Sequence, residues 1–114
     1  MDANGYLRGI ELFNQQRFYD AHEVWEDVWR ESVGHEKKFL QGLIQAAVAL
    51  HHHSTGNMVG ACSLLERSRR NLAIYPEDFG EIRLAALVLS LGSWREALLS
   101  GVPHPRFPKV HRIE

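Results

Sequence analysis

The run Phe18-Tyr19-Asp20-Ala21-His22-Glu23-Val24-Trp25-Glu26-Asp27-Val28-Trp29 sets one imidazole and several carboxylates among large aromatic side chains. Ionisable groups in an apolar helical pattern are expected to be paired or used, because burying an unpaired charge is costly. His22 and Glu26 are four residues apart, so on a helix they share a face, which Tyr19 precedes by one turn and Trp29 continues. Three kinds of chemistry fit such a pair. It can supply two ligands to a divalent transition metal. Its carboxylate can orient the imidazole as a general base in a hydrolase-like reaction on water. Or the two side chains can form a hydrogen-bonded network that sets the register between helices.

None of these signatures is complete. A zinc peptidase helix carries a second histidine four residues after the first, where this chain has Glu26. The di-iron pattern, with Glu three residues before His and a repeat on another helix, is also absent. A ligand set built on His22 and Glu26 therefore has to be completed by His52, His53 or Gln45. Glu23 is a weaker candidate, since Asp20 and Glu23 read as a capping box. Gln41 and Gln45 lie one turn apart in an otherwise apolar stretch, and Ala49 and His52 extend their stripe. The expected site is thus a polar pocket between the second and third helices. It comprises Tyr19, His22, Glu23, Glu26, Gln41, Gln45 and His52, walled by Trp25 and Trp29. His51-His52-His53 cannot all ligate one ion while helical, because successive side chains point about 100° apart. His52 is expected inward, with His51 and His53 in water at the helix end.

The elements that must position these residues read almost entirely as helix. Leu7, Ile10 and Phe13 set a first helix over Tyr6 to Gln15. The second carries the opening run to about Ser32 and stops near Gly34; its start lies either at the Asp20/Glu23 box or already at Phe18, where the apolar pattern begins. The third, His35 to His53, is apolar nearly all round from Phe39 to Leu50 and should be the most buried. Asn57 caps a fourth helix, Met58 to Ile74, which Pro76 ends. The pairs Asp78/Glu81 and Ser93/Glu96 suggest a fifth helix at Glu81 to Leu91, stopped by Gly92, and a sixth at Trp94 to Ser100. Pro103, Pro105 and Pro108 make residues 102–114 an extended tail after one helical domain at 1–101, lying either over its own domain or over a neighbouring subunit. A faint repeat relates Phe13–Ala21 to His53–Ala61: each is a helix end, a tight turn and a second helix opening on a small alanine contact. Such grammar belongs to helical hairpins of the tetratricopeptide kind. The fold class expected is all-α, a bundle of five or six helices in antiparallel hairpins.

Several of these residues form a longer pattern: Leu12-Phe13-Asn14, Phe18-Tyr19-x-Ala21-His22-Glu23-x-Trp25-Glu26-x-x-Trp29, Phe39-Leu40-Gln41-Gly42-Leu43-Ile44-Gln45, His52, and Gly56-Asn57-x-x-Gly60-Ala61. Over about Gly5 to Leu72 the chain resembles the bacterial and archaeal domain-of-unknown-function family 309. The resemblance implies a compact all-α bundle of paired helices and implies no activity.

Composition narrows the partners. The chain has 114 residues, a formal net charge of −1 and 24% charged residues, so no basic excess points to nucleic acid or an anionic membrane. The longest apolar run, Leu43 to Leu50, is too short to span a bilayer. With Cys62 alone, no internal disulfide can form, which fits a cytoplasmic, reducing setting. Cys62 reads as a small apolar helix residue. No phosphate loop, nucleophile elbow or dinucleotide fingerprint is present. No cofactor is required, although a divalent transition metal is compatible with the His/Glu pair. The leading expectation is a binding or scaffold module, with the hydrolase-like enzyme as its rival. Self-association through the apolar tail, with Trp94 and Phe107, is a further expectation.

Overall fold

The computed structural model describes all of residues 1–114 and is all-helical. Five helices follow one another: α1 (Ala3–Asn14), α2 (Phe18–Glu31), α3 (Gly34–Ser54), α4 (Met58–Leu72) and α5 (Leu84–Ser100). A short 3-10 turn, Phe79–Glu81, joins the last two. The expected α3 is the central helix. Phe39, Leu40, Leu43, Ala46, Ala47, Ala49 and Leu50 are all buried along it. A helix apolar on most of its circumference has to be covered from several sides, and α2 and α4 both pack against it.

The internal repeat has a common backbone form. Gln16 and Gly56 occupy equivalent turns, with φ of +64° and +84°. In the first, Arg17 N–H donates to Leu12 O at 2.9 Å and Gln16 N–H to Phe13 O at 2.9 Å. In the second, Asn57 N–H donates to His52 O at 2.9 Å and Gly56 N–H to His53 O at 3.1 Å. Both are Schellman closures, in which a left-handed residue lets two N–H groups turn back onto the last carbonyls. Ala21 and Ala61 are fully buried just beyond, where each hairpin's helices approach closely. Asn57 caps α4 as expected, accepting from Gly60 N–H at 2.9 Å.

Two sequence expectations are corrected. Asp20 and Glu23 form no capping box: α2 starts at Phe18, two residues before Asp20, and Asp20 instead accepts from Arg17 Nε at 3.0 Å. The early start follows from Phe18, which is buried in the core. Second, the expected fifth and sixth helices are one, α5. Leu84, Leu87, Leu91 and Trp94 are buried at spacings of three and four, so one continuous apolar seam crosses Gly92. Asp78 precedes the 3-10 turn and Glu81 ends it, and Gly80 and Glu81 take φ of +70° and +58°. Of the two places open to the tail, it takes the one over its own domain. Val110 is 2% exposed within the main apolar cluster, and Phe107 packs against Phe18 and Trp94 at 5.8 and 5.1 Å between ring centres. No helix is long and apolar enough to cross a membrane.

Candidate functional site

The expected site residues fall into three places. Tyr19, His22 and Glu26 stand together on the partly exposed side of α2. His22 Nε2 lies 3.1 Å from Glu26 Oε2, and His22 Nδ1 lies 3.1 Å from the Tyr19 carbonyl oxygen. Glu26 also accepts from Arg30 at 2.8 Å, and Arg30 reaches Asp27 at 2.6 Å. The imidazole therefore belongs to a ladder of charged groups along α2, with side-chain exposures of 21% at His22 and 39% at Glu26. Glu23 is exposed in the second turn of the helix.

Trp25 and Trp29 do not wall this face together. Trp25 is fully buried, and its indole N–H donates to Tyr6 O at 3.0 Å. A Cβ at Gly9 would overlap that indole ring, so the absent side chain on α1 is what admits Trp25 to the core. Trp29 is half-buried, with Lys37 Nζ 4.2 Å above its ring. Its Nε1 is buried without a hydrogen-bond partner.

The third-helix stripe faces elsewhere. Gln45 Oε1 accepts from Asn71 Nδ2 at 2.8 Å, which turns Gln45 toward α4. His52 Nδ1 lies 3.4 Å from Asn57 Nδ2, at the turn into α4. Gln41 is exposed. A helix carrying a single polar stripe presents it to one neighbour, and here that neighbour is α4, not α2. His22, Glu26 and His52 are consequently not convergent, and no group of three or more His, Cys, Asp or Glu side chains is arranged to hold a metal ion. Cys62 is half-buried on α4.

The flanking histidines, expected in water, are instead packed. His51 lies 5.2 Å from the Tyr19 ring, and His22 lies 5.3 Å from it on α2. Tyr19, with 51% exposure, thus sits between two imidazoles. Beside them opens a groove of about 400 Å³ lined by Arg17, Phe18, Tyr19, Leu50, His51 and Phe107, among others. Further along, His53 meets Trp94 edge-on at 5.0 Å and His104 at 5.3 Å, while His104 stacks on Trp94 at 4.4 Å. Burial, aided by neighbouring His104, holds the His53 imidazole below its ordinary pKa. The repeat carries the signal for this neighbourhood, although its spatial consequence was not drawn from the sequence. It places the end of α3 beside the start of α2, and so His51 beside Tyr19.

Two antiparallel helical hairpins, a fifth helix and an aromatic-imidazole cluster at one end define a small helical-hairpin protein. The chain belongs to the family described as Domain of unknown function (DUF309), whose model matches residues 6–64, from α1 into α4. It is 36% identical over 76 residues to an uncharacterized protein of Aquifex aeolicus, covering 66% of this chain and 23% of that relative. It is also 36% identical over 64 residues to the uncharacterized protein YpuF of Bacillus subtilis, covering 55% of this chain and 37% of YpuF. The matched segment is therefore much less than two thirds of either relative's length.

Proposed function

We propose that this chain is a helical binding module whose recognition surface is the end of the bundle around Tyr19, His22 and His51. The observation that carries this reading is Tyr19, a half-exposed aromatic ring held between two imidazoles at the edge of an open groove. Rigid aromatics with a polar rim are the side chains on which binding energy concentrates. They lose little conformational entropy on contact and offer both an apolar face and a hydroxyl. The occupant this chemistry suits has an apolar or aromatic anchor with hydrogen-bonding groups around it.

The geometry of His22 favours binding over water activation. A neutral imidazole has one N–H and one lone pair. Both ring nitrogens of His22 face oxygen atoms, the Tyr19 carbonyl and the Glu26 carboxylate. In either tautomer the lone pair points at one of those oxygens and not at a position open to a reacting water. Glu26 is moreover shared with Arg30.

The test is a fragment screen followed by two-dimensional amide NMR, with small aromatic acids, amides and alcohols as probes. Binders should perturb amides in the first turn of α2 and the last turn of α3. Tyr19→Ala should abolish those perturbations and leave the helical circular dichroism unchanged. Shifts confined to other surfaces, or binding that survives Tyr19→Ala, would overturn the reading.

A further inference from the structure

The fold joins α1 to α2 and α3 to α4 through tight turns; α5 packs against α4 but is joined to it by a longer connection and completes no third tight hairpin. Its inner seam is buried, but its outer side carries a second seam. Ala85, Leu89, Gly92, Glu96 and Leu99 recur at alternating spacings of four and three, which places them on one face of the helix. Leu89 is 73% exposed and Leu99 58% exposed. Exposed Val102 lines the same groove as Leu89 and Gly92. Solvated helix faces do not ordinarily keep a heptad pattern with large aliphatic residues.

Gly92 adds an independent observation. Glycine inside a helix is unfavourable and is kept where a left-handed turn or a close approach requires it. Gly92 is not among the positive-φ glycines. A Cβ built on it would meet only the Arg69 Cδ, at an ordinary contact distance of 3.5 Å. Nothing in its own chain requires the missing side chain.

We infer that α5 pairs antiparallel with α5 of a second copy of this chain, forming across a two-fold axis the third hairpin that one chain lacks. Layering the seams in this direction seats Leu89 over Gly92 of the second copy, and symmetry repeats the contact. The same register sets Glu96 beside Ala85 of the other helix, at an N-terminus where the helix dipole favours negative charge. Arg83 precedes that terminus and comes within about two residues, roughly 3 Å along the axis, of the incoming Glu96. Arg83 and Glu96 are both exposed, and neither has an ion-pair partner in its own chain. They stand too far apart along α5 to neutralise each other, whereas an antiparallel copy brings each beside its opposite charge. One 17-residue helix and its flanks supply an interface at the small end of the specific range, about 1,000 Å² in total. The dimer is accordingly weak, with a dissociation constant of roughly micromolar order.

Sedimentation equilibrium of the full chain over a concentration series tests this. The wild type should pass from monomer to dimer. Leu89→Glu should weaken the dimer at least about tenfold with unchanged helical circular dichroism, because Leu89 is exposed in the monomer. Arg83→Glu and Glu96→Arg should each weaken it, and the double reversal should restore it. A wild type that stays monomeric throughout overturns the inference and leaves the seam to a partner of different sequence. A dimer indifferent to Leu89→Glu, or a double reversal that fails to restore association, overturns it as well.

Discussion

His53 ends α3 against the edge of Trp94 and the ring of His104. Its folded-state pKa lies below the ordinary value, first through burial and then through His104. Between that lowered value and the unfolded value, near 6.5, the unfolded chain binds more protons than the folded one. Stability therefore rises with pH across this interval. His53 imposes no penalty above about pH 6.5, and its penalty grows as pH falls through the lowered folded value. The urea midpoint of the wild type should drop between neutral and mildly acidic pH. His53→Phe, which keeps an edge-on aromatic contact with Trp94, should flatten that drop. The other histidines are common to both proteins and cancel in the comparison. Equal pH slopes for the two would show that His53 does not couple folding to protonation.

At the scale of elements, the turns determine which helices meet. Gln16 adopts a left-handed conformation without being glycine, whereas its counterpart in the second hairpin is Gly56. A side chain there costs about 1–2 kcal/mol relative to glycine, partly offset by the greater unfolded-state entropy of glycine. Gln16→Gly should thus raise unfolding stability by roughly 1 kcal/mol, measured by urea denaturation; a loss would mean that the Gln16 side chain makes a stabilising contact in the turn. The repeat containing this turn was legible in sequence because both hairpins place the same residue types at matching positions. The buried character of α3 was legible too, since Phe39 to Leu50 is apolar nearly all round. The pocket was less legible for a related reason. A stripe such as Gln41, Gln45 and His52 defines a helix face without saying which neighbour it meets, and Asn71 on α4, not His22 on α2, takes Gln45. Helix punctuation misled at Gly92, where a local stop signal competes with a buried seam from Leu84 to Trp94. The seam prevails because interrupting the helix would uncover several large apolar side chains, each worth about 1.5–3 kcal/mol. A glycine in a helix interior costs only about 0.5–1 kcal/mol.

For the whole molecule, the C-terminal segment decides whether the helices close into one core. Asn14 on α1 clamps it: Asn14 Nδ2 donates to Val110 O at 2.9 Å, and Val110 N–H donates to Asn14 Oδ1 at 2.8 Å. Trp94 Nε1 donates to Arg106 O at 2.8 Å, and Arg83 N–H donates to His111 O at 2.8 Å. The segment thereby ties the first helix to the last, which chain order alone would leave unconnected. Ending the chain at Gly101 would remove Phe107 and Val110 from the core, and would uncover Phe18, Ile82 and Trp94, which are buried in the intact chain. Two lost apolar side chains, with the unpaired Asn14 amide and Trp94 indole, amount to about 4 kcal/mol or more. Domains of this size have about 5–15 kcal/mol in total. The shortened chain should therefore unfold at a much lower urea concentration, with loss of near-ultraviolet signal from Trp94. Asn14→Ala in the full chain isolates the clamp and should cost about 1–3 kcal/mol. If the shortened chain kept its stability within about 1 kcal/mol, the tail would be an appendage rather than part of the core, because that loss is smaller than the burial of Val110 alone predicts.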